Sequence, residues 1–437
     1  MLIGKRIRLI PTEEQEILFR KSCGVARWAY NYFIEKQINT LMFFKQGLVD
    51  YKYTKETKVR KEITRLKKTG EYSWLNEVGS NVIKQSVKNA DEAFKRFFNK
   101  TCKYPRFKKK GKCKESFYVN YESCRRVDKN HVYCEKLGSI ETLEDLPELK
   151  LVKYYRNDKS TNTVREGFVV HSYSRPYISY DGKYWYLSFS YNEEDLINYK
   201  NNNIQLTDNS LGIDLGLKDL VIVSNQDNSF SKKFKNINKS NKIKKLEKRL
   251  KREQRKLSRK LLANTESYEE GTAISKKDGK EYKYKKPVYK VDLLNCKNIQ
   301  KQNYKIRLIY KKLRDIRTNY IHQITSEIVK IKPFQIVMEN LNISGLLKNK
   351  HLSKCIQNAK WYEIRRQIEY KCKRLGIDFV LVDRFYPSSK LCSNCHSIKK
   401  DLKLKDRIYH CDCCGATLDR DINASINLAN YNLKKFN

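Results

Sequence analysis

No stretch of the 437 residues approaches the ~20 consecutive apolar positions a helix needs to cross a bilayer, so a membrane-spanning protein is not expected. The opening MLIGKRIRLIPTEEQ is charged and lacks the apolar core of a signal peptide, which argues against export. Acid is scarce beside base: 49 Asp and Glu stand against 92 Lys and Arg, a formal net charge of +43. A solvated surface also needs charge, but an excess this large strains a compact fold by self-repulsion unless a polyanion neutralises it. Nucleic acid is therefore the expected partner, and without an export signal the cytoplasm is the expected location. A disulfide framework is missing too. The 13 cysteines are odd in number and scattered except for one cluster near the C-terminus. Without an export signal, metal-bound thiolates in a reducing compartment fit that pattern better.

What is present reads as a globular chain of two or three domains, 40% hydrophobic, with thirty tyrosines whose flat faces could stack on unpaired bases or simply fill a core. Residues 4 to 10 alternate as a short strand. Pro11 to Gln15 then open a helix, with Thr12 as N-cap and Gln15 completing a capping box. The pattern stays helical to about residue 103, with Trp28, Tyr30, Tyr32 and Phe33, and later Phe94, Phe97 and Phe98, on one face. A basic loop at 104 to 112 offers Arg106, Lys108 and Lys109 to phosphate. Alternating β-rich sequence follows to about 198, with a hairpin signal at Asp181-Gly182.

A new unit begins near Leu211, where LGIDLGLKDLVIVSN reads as strand, tight turn, strand. Residues 232 to 262 are expected as a basic helix carrying Ile243, Leu246, Leu250 and Leu257. Its partner runs from about 291 to 330 with Ile306, Ile309, Leu313, Ile316 and Tyr320 inside, a helical hairpin with Lys and Arg outside. Lys248, Arg249 and Arg252 on its first arm are candidate backbone contacts, with a merely solvated face as the lesser alternative. The polar residues 264 to 288 are expected as a flexible tip. Then come the strand FQIVMENL, a helix around 358 to 375, the strand DFVLVD, the cysteine cluster and a last helix from about 421.

Three acids stand where a two-metal nuclease needs them. Asp214 lies among Leu211, Ile213 and Leu215 just before a glycine turn, Glu339 ends the strand Ile336-Val337-Met338, and Asp421 opens the last helix. RNase H-like nucleases hold two divalent cations ~4 Å apart between such carboxylates, and magnesium needs few of them because waters and phosphate oxygens complete its shell. Singly, each acid has a plain alternative: a turn residue, an edge-strand charge and a helix N-cap. Together, beside buried apolar strands and in strand, strand, helix order, they point to metal. Asp419 competes for the third position, with capping or solvent as its other uses.

Cys392-Ser-Asn-Cys395 and Cys411-Asp-Cys-Cys414 form two CxxC knuckles separated by 15 residues. Two knuckles complete a closed tetrahedral zinc site, structural because no position is left open. Cys413 is spare, His396 and His410 are weaker ligand candidates, and His322 is expected only to pack or hydrogen-bond. Ser388, Ser389 and Lys390 before the ribbon are candidate phosphate contacts.

The acids and ribbon together resemble the TnpB family, insertion-sequence proteins related to type V CRISPR effectors. The resemblance rests on LGIDLGLKDL, IVMENLNI, DRFYPSSKLCSNC and YHCDCCGATLDRDINASINL, with RIRLIPTEEQ, CGVARWAYNYFIEKQ and PRFKKKGK in matching style. It implies a multi-domain α/β protein: an RNase H-like (RuvC) domain with an inserted zinc ribbon, an N-terminal wedge β-barrel and a helical recognition domain. The implied divisions are 1-11 and 104-205 for the wedge, 12-103 for recognition, 206-387 and 417-437 for RuvC with its hairpin at 232-330, and 388-416 for the ribbon. It also implies an RNA-guided DNA endonuclease that takes a guide RNA from the transposon end and reads a short adjacent motif. The target double-stranded DNA would then be cut with Asp214, Glu339 and Asp421 as ligands to two Mg²⁺ or Mn²⁺ ions. One Zn²⁺ is implied on the four ribbon cysteines, and no obligatory protein partner is inferred. Two alternatives are an RNA-independent transposase that joins DNA strands and a non-cleaving RNA-guided repressor. The tip at 264 to 288 is longer than a compact member needs.

Overall fold

The computed structural model describes residues 1–158, 163–170, 173–197, 204–274, 281–293, 295–403 and 406–431. Expectations for 275–280 of the tip, for 432–437 and for the short gaps near 160, 172 and 200 lie outside the described residues. The chain divides into two units, Met1–Asn201 and Asn202–Asn437.

The first unit opens with β1 (Leu2–Ile10), α1 (Glu13–Lys45), α2 (Glu56–Leu66) and α3 (Ser80–Phe98). Thr12 and Gln15 form the expected reciprocal capping box, with N–H to side-chain distances of 3.2 and 3.1 Å. Helices α1 and α3 bring Phe19, Phe33 and Phe94 into one buried cluster. Eight strands follow: β2 (Glu115–Tyr118), β3 (Arg125–Arg126), β4 (His131–Cys134), β5 (Gly138–Thr142), β6 (Leu151–Asp158), β7 (Thr163–Val170), β8 (Ser174–Tyr180) and β9 (Trp185–Asn192). Seven strands make one antiparallel sheet in the order β2-β8-β9-β1-β5-β4-β3, and β6 pairs with β7 as a separate two-stranded ladder. Among the described residues no ladder joins β2 to β3, so this sheet is open where a closed barrel was expected. The Asp181-Gly182 turn does join β8 to β9, with the Asp181 carboxylate accepting from the N–H of Lys183 and Tyr184 at 3.0 Å.

The second unit contains β10 (Thr207–Leu215), β11 (Asp219–Asn225), β12 (Ser231–Lys235), α4 (Asn241–Ala263), β13 (Thr265–Ile274), β14 (Glu281–Tyr289) and α5 (Lys297–Lys330). These are followed by β15 (Pro333–Met338), α6 (Ile343–Leu346), α7 (Ser353–Ala359), α8 (Trp361–Leu375), β16 (Asp378–Leu381), β17 (Ile408–His410), β18 (Thr417–Asp419) and α9 (Arg420–Ala429). The central sheet runs β12-β11-β10-β15-β16, antiparallel through β10 and then parallel.

Side chains alternate across that sheet with a period of two. Leu211, Ile213, Val221, Val223, Ile336 and Met338 share a core with Ile324, Ile328, Ile364 and Ile368 of α5 and α8. The opposite positions, Ser210, Gly212, Ser224 and Val337, meet α9. Asp214 and Glu339 continue this second row.

Three sequence-based expectations for this unit need correction. The basic helix starts at Asn241, not at 232, because residues 231–235 pair with β11 as an edge strand and bury Phe234. The residues 265–274 and 281–289 of the supposed flexible tip form an antiparallel ribbon. Cross-strand ion pairs Glu270–Lys285 (2.8 Å) and Glu269–Lys286 (3.6 Å) lie along it, and the Tyr284 ring covers Gly271, where an added Cβ would sit 2.7 Å from it. The helical hairpin itself is as expected, with Ile243 of α4 packed on Ile309 and Leu313 of α5. Its second arm begins at Lys297 where 291 was expected.

Candidate metal centres

The register of the parallel pair fixes two of the three acids. Ile213 of β10 is opposite Met338 of β15, so the next residues along, Asp214 and Glu339, leave neighbouring strand ends together. Helix α9 then comes down on the same face. A Cβ on Gly212 would lie 1.9 Å from the Ser425 carbonyl oxygen and 2.4 Å from the Ala429 nitrogen, so glycine is what allows strand and helix backbones to touch. Ser210 donates to the Ala429 carbonyl and Ser224 meets the Ser425 hydroxyl, both at 2.7 Å. With Ala429 over Ser210 and Ser425 over Gly212, α9 runs antiparallel to β10, which carries its N-terminal residue Asp421 toward Asp214.

Asp419 is the N-cap of α9, accepting from the N–H of Asp421 (3.0 Å) and Ile422 (3.3 Å) and ion-paired to Lys233 at 2.6 Å. The cap being filled, the Asp421 carboxylate is left to face Arg420 at 3.3 Å and Arg407 at 4.0 Å. Glu339 accepts from the buried Ser388 hydroxyl at 2.6 Å. Burial pushes the Asp214 carboxyl well above the usual carboxylate range, and the neighbouring charges of Glu339 and Asp421 push the same way against Arg420. Burial also raises Glu339; the Ser388 hydrogen bond opposes this and Asp421 adds to it. Three half-buried carboxylates that repel one another fit hard divalent cations, which take oxygen ligands and restore the charged form.

The ribbon cysteines come together as a second centre. The ligand sulfurs of Cys392, Cys395, Cys411 and Cys414 all lie within 4.8 Å of one another. The Cys392–Cys414 and Cys395–Cys411 separations, 3.7 and 3.5 Å, are close to the about 3.8 Å edge of a zinc tetrahedron with 2.3 Å bonds. The two knuckles repeat each other. His396 and Gly415 each follow the second cysteine with φ of 60° and 70°, and each donates to the carbonyl of the first cysteine at 3.0 Å. Burial pushes the Cys392 thiol up to about 12, while the Ser397 hydroxyl holds Cys411 down at about 5. Among the described residues the ligand group is these four thiols. His410 bonds Thr417, and Cys413 is exposed outside the group.

The ribbon is tied to α9 by side chains that sequence reading missed. Asn427 donates to the carbonyls of Ser388 (2.8 Å) and Leu391 (2.7 Å), and Asn423 donates to Leu391 (2.7 Å) while accepting from Ser393 N–H (2.9 Å). Both are fully buried, and two Asn four apart on the apolar face of DINASINLAN were the available signal.

The candidate nucleic-acid contacts divide. Lys245, Lys248, Arg249, Lys251, Arg252 and Arg255 line one open basic groove along α4. Arg106 and Lys109 are exposed. Lys108, in contrast, packs its ammonium 3.7 Å over the Tyr30 ring, and its backbone is clasped by Asn31 at 2.7 and 2.9 Å, with burial lowering its pKa. Ser388 is turned onto Glu339, and Lys390 donates to the Lys400 carbonyl at 3.1 Å within the ribbon. His322 is exposed, with its pKa lowered by desolvation and by the nearby Lys371 charge.

Comparison with known proteins adds an independent line. Family models match residues 1–41 as a helix-turn-helix domain of the OrfB type, 191–350 as a probable transposase of the OrfB type, and 361–428 as a Cas12f1-like TNB domain. Over 1–41 the structure has strand β1 and the single long helix α1. A Streptomyces pristinaespiralis protein named as an RNA-guided DNA endonuclease is 28% identical over 97% of this chain and 87% of its own length. The RNA-guided DNA endonuclease InsQ of Escherichia coli is 24% identical over 97% and 90%. The CRISPR-associated endodeoxyribonuclease Cas12f1 of Sulfoacidibacillus thermotolerans is 32% identical over 19% of each chain. The solved structure of the mini-RNA-guided endonuclease CRISPR-Cas_phi3 aligns over 98% of this chain and 92% of its own at 12% identity. Its TM-score is 0.44, too distant to bear on the fold, which is argued from the sheet above. OrfB-type and Cas12f1-like models match stretches of both units, and the relatives that align over 97% of the chain are of one kind, so the chain is similar to the TnpB family.

Proposed function

We propose that this chain is an RNA-guided DNA endonuclease with one RuvC-type site built from Asp214, Glu339 and Asp421. The observation that carries the reading is their convergence: a strand, the end of its parallel neighbour and the start of a packed helix deliver three acids to one face of one sheet. The strand order β12-β11-β10-β15-β16, with the second strand in sequence antiparallel, supports an RNase H-like domain over 206-387 and 417-437. The wedge is then 1-11 with 104-205, the recognition helices 12-103 and the zinc ribbon 388-416.

Two magnesium or manganese ions, when bound by these acids, supply water activation and stabilisation of the leaving oxygen. The chain's own part is positioning. Ser388 holds Glu339 in one orientation, Asp419 relieves Asp421 of capping, and Arg420 and Arg407 hold the Asp421 carboxylate against repulsion from its neighbours. A zinc ion on the four thiolates has no open position, so its role is structural: it closes the ribbon whose first residues hold Ser388. Guide RNA from the transposon end and target double-stranded DNA are the partners. Pairing, not side chains, supplies sequence choice, and the basic groove of α4 grips backbone. Those partners put the protein in the cytoplasm beside the nucleoid. No helix in the described residues is long and apolar enough to cross a membrane.

The test is to express the chain with its flanking DNA and sequence the RNA that copurifies. One defined species running past the element boundary supports guided targeting. Heterogeneous or absent RNA favours a DNA-only strand-transfer protein with the same acids.

A further inference from the structure

Between β16 and the ribbon, the chain passes along the edge of the carboxylate cluster. Val382 N–H donates to the Met338 carbonyl at 3.1 Å, one residue before Glu339, and six residues later the Ser388 hydroxyl returns to Glu339. The segment between is pinned. The Asp383 side chain accepts from Phe385 N–H at 2.8 Å and its carbonyl accepts from Tyr386 N–H at 3.1 Å. Tyr386 packs edge-on against Tyr431, 5.0 Å between centroids, and donates to the Asn427 carbonyl at 3.1 Å.

Held between these anchored neighbours, Phe385 is 86% exposed, the most exposed of the large apolar side chains among the described residues. The fold gains almost nothing from its phenyl ring. Its backbone is fixed all the same, so the ring is presented at a defined place. Three Cα–Cα steps lead from it to Ser388, which limits the distance between the two to about 11 Å. A stacked strand advances about 3.4 Å per nucleotide and an unpaired one is more extended, so this reach covers at most about three nucleotides.

We propose that Phe385 is a stacking residue of the DNA site: its ring lies against a base of the unpaired strand a few nucleotides from the scissile phosphate and holds that strand across the three carboxylates. This rests on the nuclease reading above. Stacking tolerates any base because every base has a π-face, which suits an enzyme whose sequence choice is delegated to pairing. Phe385 is a positioning residue in this scheme and takes no part in bond breaking.

The test uses the guide-loaded full chain. Phe385→Ala is expected to lower the cleavage rate on matched DNA by about ten-fold, the effect of one lost base stack, with guided target binding and thermal unfolding unchanged. Phe385→Trp should cut like the parent. In an Asp214→Ala background, a displaced, unpaired strand carrying 2-aminopurine near the cut site should be quenched with Phe385 present and brighten with Phe385→Ala. Parental cutting by Phe385→Ala, or equal loss in the Ala and Trp variants, would overturn the proposal. If the parent itself cuts nothing, the nuclease reading falls, and equal 2-aminopurine signals with and without the ring then dispose of the stacking role as well.

Discussion

Asp419 accepts the N–H of Asp421 at 3.0 Å, so one acid caps helix α9 and the other, two residues on, keeps its carboxylate for the site. The two therefore respond differently to loss. Asp421→Ala should abolish DNA cleavage while leaving unfolding nearly unchanged. Asp419→Ala should cost about 1 kcal/mol of stability through the lost cap, with Asn as a capping replacement that restores most of it. Thermal unfolding and cleavage rates on the three variants separate the roles; cleavage that survives Asp421→Ala removes it from the site.

Gly212 is the close-approach point between β10 and α9. A methyl there meets helix backbone at 1.9 Å, not a side chain that can turn away, so Gly212→Ala should destabilise by at least the roughly 1–3 kcal/mol typical of overpacking. Cleavage should fall with it, because the same contact aims Asp421. Gly4→Ala, where nothing lies within 4 Å, serves as control and should leave both unchanged.

The carboxylate cluster has a pH signature without divalent metal. Folding raises the Asp214 carboxyl above its usual 3.8, so the folded chain binds the proton more tightly than the unfolded one. That contribution is fully present below the unfolded value and is lost as pH rises through the raised folded one. In magnesium-free buffer, parental stability should therefore drop with rising pH relative to Asp214→Asn, and added magnesium should restore it at neutral pH more than at acid pH. Parallel curves for the two proteins would count against a strained carboxylate cluster.

Metal analysis should find one zinc per chain. Cys411→Ser should lose it and also slow cleavage, since the ribbon's first residues carry Ser388 to Glu339. Cys413→Ser, outside the ligand group, should keep both zinc and activity. A chain purified gently without zinc would defeat the ribbon assignment.

The pieces of the candidate site were legible in the sequence because they are local. An acid at the end of an apolar strand and a CxxC knuckle are each written within a few residues. What escaped reading depends on partners far away in the chain. Ser388 reads as a phosphate contact until β16 and α9 bring it to Glu339, 49 residues distant. Lys108 reads the same way until Tyr30 receives it. The edge strand SKKFK places one residue, Phe234, in the core, and four solvated neighbours leave no period of two to detect. The strands 265–274 and 281–289 are joined by a backbone ladder with ion pairs across it, so their polar composition resembles a loop. Asn423 and Asn427 have their partners outside the helix: both are buried where the zinc ribbon packs on α9 and their amides reach the Ser388 and Leu391 carbonyls.

The central claim is that three acids from separate elements form one cutting site addressed by RNA. The most direct measurement purifies the parent and Asp214→Ala with their copurifying RNA and offers each a double-stranded DNA matched to that RNA. Cutting by the parent, together with tight binding but no cutting by Asp214→Ala, is the predicted result. Equal cutting by both, or cutting by the parent that ignores the RNA sequence, would contradict it.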